Sequence, residues 1–142
     1  MVRLVPRIMC ALTLACVVGV LAACSAASKG SGEPVPPSSA SPERVASAYL
    51  RAAYTGNCAL TAKLTLSHTW SWCDDPKLLH YRSVGSALAV SASVAGRNEE
   101  CVNFEMYTDG SSDGSMPTGW QPWGLCFVRT PAGWRLYDQG MG

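Results

Sequence analysis

The chain has 142 residues, with 11 lysine and arginine residues against 10 aspartate and glutamate residues, and its net charge is +1. A charge this balanced, with no basic run or stripe, argues against a nucleic acid as the partner. If the first 23 residues are removed, Arg3 and Arg7 leave with them, and 9 basic residues face 10 acidic ones. The length that then folds, about 100 residues, suits one small domain.

The N-terminus has the layout of a secretory signal. Arg3 and Arg7 precede an almost unbroken apolar segment, residues 8–20, which is short for a membrane span of about 20 residues. The sequence Leu21-Ala22-Ala23-Cys24 follows and resembles the bacterial lipoprotein signal, in which the cysteine receives a diacylglycerol. We therefore expect residues 1–23 to be a signal peptide and Cys24 to anchor the mature chain at the extracytoplasmic face of the cell membrane. The alternative is an ordinary signal peptide that ends near a chance cysteine.

A segment of low complexity follows Cys24. Residues 25–43 are mostly Ser, Ala, Gly and Pro, and they include no aromatic residue. Such a segment cannot bury enough apolar surface to offset the entropy lost on ordering. We therefore expect residues 24–40 to form a flexible tether that holds the folded domain, residues 41–142, off the membrane.

The domain is predicted to begin with two helices. Ser41 can cap the first helix, with Pro42 at its first position and Glu43 favourably placed at the positive end. Gly56 ends this helix, and Asn57 can cap a second one that runs to about residue 66. The apolar residues of the first helix recur at helical spacing on one face: Val45, Ala48, Tyr49, Ala52 and Ala53.

Beyond an irregular segment, residues 67–76, the apolar residues alternate along the chain. This pattern favours strand segments at about residues 79–84, 88–94, 101–107, from 123 onwards and 134–138, with turns at 97–98 and 130–133. The apolar faces are expected to be Leu88, Val90, Ala92 and Val94, then Val102, Phe104 and Met106, then Trp123, Leu125 and Phe127. Between the last two faces, residues 109–119 lack the closing glutamate of a calcium loop and are expected to form a mobile hairpin tip.

Two helices followed by an antiparallel meander of three or four strands is an α+β fold. The stretch SPERVASAYLRAAYTGNC, a Trp-Cys-x-x-Pro segment before a strand, and the closing GWRLYDQG resemble small exported members of the nuclear transport factor 2-like superfamily. The resemblance spans residues 41–140 and implies a helix pair packed into a strongly curved, cone-shaped sheet. That superfamily includes isomerase-like and cyclase-like enzymes as well as binding modules, so the resemblance does not select a function.

Four cysteines are left in the domain once the signal peptide and Cys24 are set aside. Four cysteines in an exported domain indicate two disulfides with three connectivities, and none lies close enough to another for a zinc pair. If the long hairpin is centred near residues 113 and 114, residues whose numbers sum to 227 face each other, and Cys101 with Cys126 is such a pair. Cys58 and Cys73, which are close in sequence, are then predicted to form the other disulfide.

Residues 70–81 read WSWCDDPKLLHY and allow two interpretations. In the one we favour, Cys73 forms a structural disulfide, and a tryptophan (Trp70 or Trp72) packs beside it. The adjacent aspartates are then solvated loop carboxylates. In the other, a metal or acid–base cluster forms from His68, Asp74, Asp75 and His80. No spacing forces these four residues together, unlike the one-turn spacing of a helical ligand pair, so we expect no metal and no cofactor.

Three classes of function are compatible with the sequence. The favoured class is a non-catalytic binding or accessory domain for a small apolar ligand or an envelope protein partner. Its candidate cavity residues are Tyr81, Phe104, Trp123 and Glu105. The alternative is an isomerase-like or cyclase-like enzyme, which needs an acid–base pair inside the cone, where His80 or Tyr81 would serve. Glu105 would supply the carboxylate only if the Cys101 face of its strand were concave. The third class is a purely structural envelope component.

Overall fold

The computed structural model describes residues 32–66, residue 72 and residues 75–141. The protein is α+β, with helices packed on an open antiparallel sheet of five strands. The elements are α1 Pro42–Tyr54, α2 Cys58–Leu64, β1 Leu78–Arg82, β2 Ala87–Val90, α3 Ala92–Ala95, β3 Glu99–Thr108, β4 Gly119–Thr130 and β5 Gly133–Gly140. Among these described residues, no helix has the length and apolarity that crossing a membrane requires.

Both predicted helices are present and begin at the predicted caps. The Ser41 hydroxyl accepts a hydrogen bond from the backbone N–H of Arg44, and the Asn57 side chain accepts one from the N–H of Leu60. The carboxylate of Glu43 accepts a hydrogen bond of 2.9 Å from the backbone N–H of Ala87, which ties α1 to β2 and lowers the pKa of Glu43. The predicted apolar face of α1 is buried: Val45, Ala48, Tyr49, Ala52 and Ala53.

Strands β3 and β4 pair in the predicted register. Cys101 faces Cys126 across the ladder and is disulfide-bonded to it, and Phe104 faces Trp123. The predicted inward residues of both strands are buried: Val102, Phe104, Met106, Trp123, Leu125 and Phe127. They meet α1, α2 and Leu136 of β5 in one core, so the helices cover this face of the sheet, which we call the inner face.

The other edge of β3 differs from the prediction. Strand β1 pairs with residues 105–108 of β3, and β2 pairs with residues 99–102, so two short strands share one edge. Between them Ser83 has a φ of 56°, and the N–H of Gly85 donates to the carbonyl of Asn103. The sheet therefore has five strands, where a meander of three or four was predicted, because β1 and β2 both pair with β3.

The predicted strand at 88–94 is also wrong beyond Val90. A helical turn, α3, follows, and Gly96 ends it in the left-handed conformation with a φ of 77°. Leu88 is 59% exposed and Val94 is 80% exposed, so these side chains do not belong to a core face. The alternating pattern misled here because β2 is a short edge strand on which Leu88 lies opposite Cys101, away from the helices.

The β3–β4 loop was expected to be a mobile tip, but internal hydrogen bonds organise it. The Asp113 carboxylate accepts hydrogen bonds from the Ser111 hydroxyl, the Ser115 hydroxyl and the Ser115 backbone N–H, at 2.6 to 2.9 Å. These donors lower the pKa of Asp113 to about 2. Met116 is buried beneath the loop.

Residues 32–40 contact the folded domain, although their composition predicts a flexible tether. Glu33 forms a salt bridge of 3.0 Å with Arg51 near the end of α1. The backbone of Ser38 lies against Gly133 at the start of β5, where a Cβ atom would come within 3.0 Å of it. Ala40 is buried in the core. A salt bridge and local packing thus order a segment whose composition alone gives no reason for order.

Candidate binding surface

Three aromatic rings lie together at one end of the sheet, on the face that the helices do not cover, and a fourth ring from α1 joins them at the β1 edge. His80 of β1, Tyr107 of β3 and Trp120 of β4 are neighbours across the strands, because His80 pairs with Tyr107 and Tyr107 pairs with Trp120. Their ring centroids are 5.6 to 6.5 Å apart. Tyr54, the last residue of α1, brings its ring within 6.4 Å of His80. We call these four residues with Arg82 the aromatic patch.

The patch is exposed to solvent and is held in shape by its own contacts. Trp120 is 45% exposed and Tyr54 is 51% exposed. The guanidinium of Arg82 lies 4.1 Å from the centre of the Trp120 ring and forms a salt bridge of 2.5 Å with Glu105. Large exposed aromatic side chains held in one orientation lose little entropy on binding, and Trp, Tyr and Arg are the residues that dominate binding surfaces.

An open groove adjoins the patch at Tyr54. Its volume is about 1080 Å³, and it lies between the start of β1 and the ends of the two helices. Apolar side chains from Leu78 and Leu79 line one part, and the Glu33–Arg51 ion pair lines another. The groove and the patch therefore form one continuous surface around Tyr54.

The four predicted cavity residues are divided between two environments. Phe104 and Trp123 are buried in the core, and Tyr81 is half-buried against it. Glu105 lies on the opposite face of the sheet, where it pairs with Arg82. A carboxylate at this position cannot act inside the space that the helices cover, so the geometry does not bring the predicted set together.

One residue of the segment WSWCDDPKLLHY, Trp72, is part of the hydrophobic core. Trp72 is 2% exposed and packs edge-on against Trp123, with ring centroids 5.4 Å apart. The indole N–H groups of both tryptophans donate to the side-chain oxygen of Gln139, at 2.5 and 3.3 Å. One amide thus serves two buried indoles, and it ties the loop before β1 to the last strand.

The remaining residues of this segment do not converge on His80 where they are described. Asp75 is exposed and accepts hydrogen bonds from the backbone N–H and hydroxyl of Ser112, which ties it to the β3–β4 loop. His80 belongs to the aromatic patch. Two further members of the proposed metal cluster, His68 and Asp74, lie outside the described residues, as does Trp70.

The cysteines are placed as follows. Cys101 and Cys126 are bonded to each other on the face opposite the helices, with Glu99 beside them. Their sulfurs carry no thiolate, so this group does not favour a metal site. Cys58 is also disulfide-bonded, but its partner lies outside the described residues, and the Cys58–Cys73 pairing stays a prediction. Cys24, the predicted lipidation site, also lies outside them.

Glu99 is a buried carboxylate on this same face of the sheet. Its burial raises the pKa of its carboxyl group, and the nearby charge of Asp138 raises it further, while Arg97 at 3.8 Å opposes the shift. Arg97 also lies over the ring of Tyr137 on β5. The arrangement balances charge locally beside the disulfide.

Sequence reasoning missed the aromatic patch, although a signal for it was present. The rule that paired residues of the hairpin sum to 227 also joins Tyr107 to Trp120, and the structure confirms this pair. The positions of His80 and Arg82 depend on how β1 pairs with β3, which nothing in the local sequence specifies.

Comparison with known proteins gives no relative: no family model, curated protein or solved structure matches this chain.

Proposed function

We propose that this protein is a lipid-anchored lipoprotein on the extracytoplasmic face of the cell membrane, whose domain is a non-catalytic binding module. The basis for the anchor is the Leu-Ala-Ala-Cys sequence that ends at Cys24 after an apolar segment. The basis for the binding module is the exposed aromatic patch. The partner is a component of the cell envelope, either a small apolar ligand or an envelope protein, as the composition and predicted location suggest.

The patch is the observation that carries this proposal. Soluble domains rarely expose large aromatic side chains in a contiguous group unless the group contacts something else. Here the His80 ring contacts Tyr54, Tyr107 and Trp120, and Arg82 lies over Trp120, so the geometry of the patch is fixed before binding. The helix-covered face, in contrast, is filled by fully buried side chains such as Leu125 and Phe127.

We also propose that the domain is nuclear transport factor 2-like. The features that support this are a helix pair at the N-terminus, a long central hairpin and a short closing hairpin in one antiparallel sheet. The isomerase-like alternative receives no such support, because Glu105 faces away from the helices and is engaged by Arg82.

Site-specific crosslinking in cells tests the binding proposal. A photoreactive phenylalanine analogue at residue 120 should capture an envelope component, whereas the same analogue at residue 94, which is 80% exposed on α3, should capture none. Metabolic labelling with an alkyne fatty acid should mark the wild-type chain but not Cys24→Ala. Equal crosslinking at both positions would remove the case for the patch, and labelling of Cys24→Ala would remove the case for the anchor.

A further inference from the structure

The N-terminal segment leaves the domain beside the aromatic patch. From Ala40 in the core, residues 40 to 33 run back past Ser38, at the start of β5, to Glu33 at the end of α1. Glu33 pairs with Arg51, three residues before Tyr54, and both line the groove that meets the patch. The chain towards Cys24 therefore departs at the patch end of the sheet, while Gly133 and Trp134 lie at the other end.

The covalent reach between this exit and the lipid attachment site is short. Nine peptide links separate Cys24 from Glu33. Even fully extended, nine residues span at most about 30 Å. Strand β4, with 12 residues, is about 40 Å long. The end of the domain where the chain exits towards Cys24 is thus held within about 30 Å of the lipid headgroups. This distance is shorter than β4.

We infer that the apolar ligand of the aromatic patch is membrane lipid itself, at the headgroup region of the membrane to which Cys24 anchors the chain. Tryptophan and tyrosine favour this region, because their rings are apolar and their N–H or O–H groups reach water. The exposed apolar side chain of Leu79 adjoins the patch and would enter the same layer. The short tether keeps the patch at a high effective concentration near the bilayer, so weak interfacial contacts suffice.

The charged residues around the patch indicate that the aromatic rings make the contact with the membrane. Electrostatic attraction to anionic lipids contributes little. Arg82 is neutralised by Glu105, and Arg51 is neutralised by Glu33. A surface with its cations paired gains little from anionic lipids. Docking should therefore occur on zwitterionic phosphatidylcholine and should survive high salt.

The test uses the full-length lipidated protein reconstituted into phosphatidylcholine vesicles, with and without bromine on the acyl chains as a fluorescence quencher. The chain has five tryptophans, so contact through Trp120 should quench up to about one fifth of the emission. The quenching should disappear in Trp120→Phe. It should persist in Trp134→Phe, the matched control, because Trp134 lies at the opposite end of the sheet. Near-ultraviolet circular dichroism would show that both variants are folded.

This inference rests on the lipid anchor of the proposed function, and the same experiment separates the two. If the wild-type protein does not float with the vesicles, the anchor is wrong and the docking inference falls with it. If the protein floats but Trp120→Phe leaves the quenching unchanged, the anchor stands and the docking inference is wrong. Quenching that requires anionic lipid or vanishes in 0.5 M salt (about 4 Å of screening length) would also overturn it. So would exclusive crosslinking of residue 120 to a protein in cells.

Discussion

At the scale of single residues, Gln139 joins parts of the chain that are 67 residues apart. Its side-chain oxygen accepts hydrogen bonds from Trp72 and Trp123, both of which are buried. Leucine has a similar volume but offers no acceptor. We expect Gln139→Leu to lower the free energy of unfolding by about 1–3 kcal/mol, the usual penalty for removing a partner from a buried donor.

Urea denaturation followed by tryptophan fluorescence would measure this loss. Gln121→Leu is the matched control, because Gln121 lies at the start of β4 and its side chain donates a long hydrogen bond of 3.5 Å to the carbonyl of Pro117 within the part of the chain that the structure describes. If Gln139→Leu is as stable as Gln121→Leu, the shared acceptor does not stabilise the fold.

Glu99 provides a prediction about pH. Because its pKa is raised in the folded state, the folded protein binds a proton there more readily than the unfolded chain does. The stabilising effect of protonation is complete below the unfolded pKa near 4.5 and is lost as the pH rises through the higher folded pKa. We expect Glu99→Gln to raise Tm by a few degrees at pH 7 and by less at pH 4.

Melting curves of wild type and Glu99→Gln at the two pH values test whether the substitution raises Tm and whether the increase is larger at pH 7. The control is Glu100→Gln, at the adjacent position on the other face of β3, where the same loss of charge should have no comparable effect. A lower Tm for Glu99→Gln at pH 7 would mean that the ion pair with Arg97 outweighs the cost of burial.

At the scale of elements, the sequence predicts structure well where one strong local pattern decides the outcome. The caps at Ser41 and Asn57 set the starts of both helices, and apolar alternation centred on the loop sets the register of β3 with β4. The pairing of both β1 and β2 with one edge of β3 was not predicted, because the positive φ of Ser83 and the contact of Gly85 with Asn103 depend on a strand about 20 residues away.

The candidate surface was harder to predict than the fold for the same physical reason. Tyr107 and Trp120 follow from the hairpin register, but Tyr54 reaches them only because α1 ends over β1. Glu105 was assigned to a cavity on the premise that its face is concave, whereas the apolar residues at 102, 104 and 106 draw the helices to the other face. A binding surface built from several helices and strands therefore depends on how these elements pack together. Local sequence patterns predict only those parts of it that lie within one element or one hairpin.

At the scale of the whole molecule, the β3–β4 hairpin supports every other strand. Strands β1 and β2 attach to β3, and β5 attaches to β4. The disulfide between Cys101 and Cys126 closes a loop of 25 residues within this hairpin. Closing such a loop restricts the unfolded chain and stabilises a protein by about 3.5 kcal/mol in the chain-entropy treatment.

We therefore expect the double substitution Cys101→Ser and Cys126→Ser to lower Tm by about 15–25 °C, since each kcal/mol corresponds to about 4–8 °C in a domain of this size. Differential scanning calorimetry of the full-length protein would measure the shift. The double substitution leaves the disulfide at Cys58 intact. The aromatic patch supplies the control: Tyr107 and Trp120 lie six positions along the hairpin from the disulfide, about 20 Å away. Below its Tm, the variant should keep the quenching of Trp120 by brominated lipid. An unchanged Tm would show that the packed core determines the stability of the hairpin and that the Cys101–Cys126 disulfide contributes little to it.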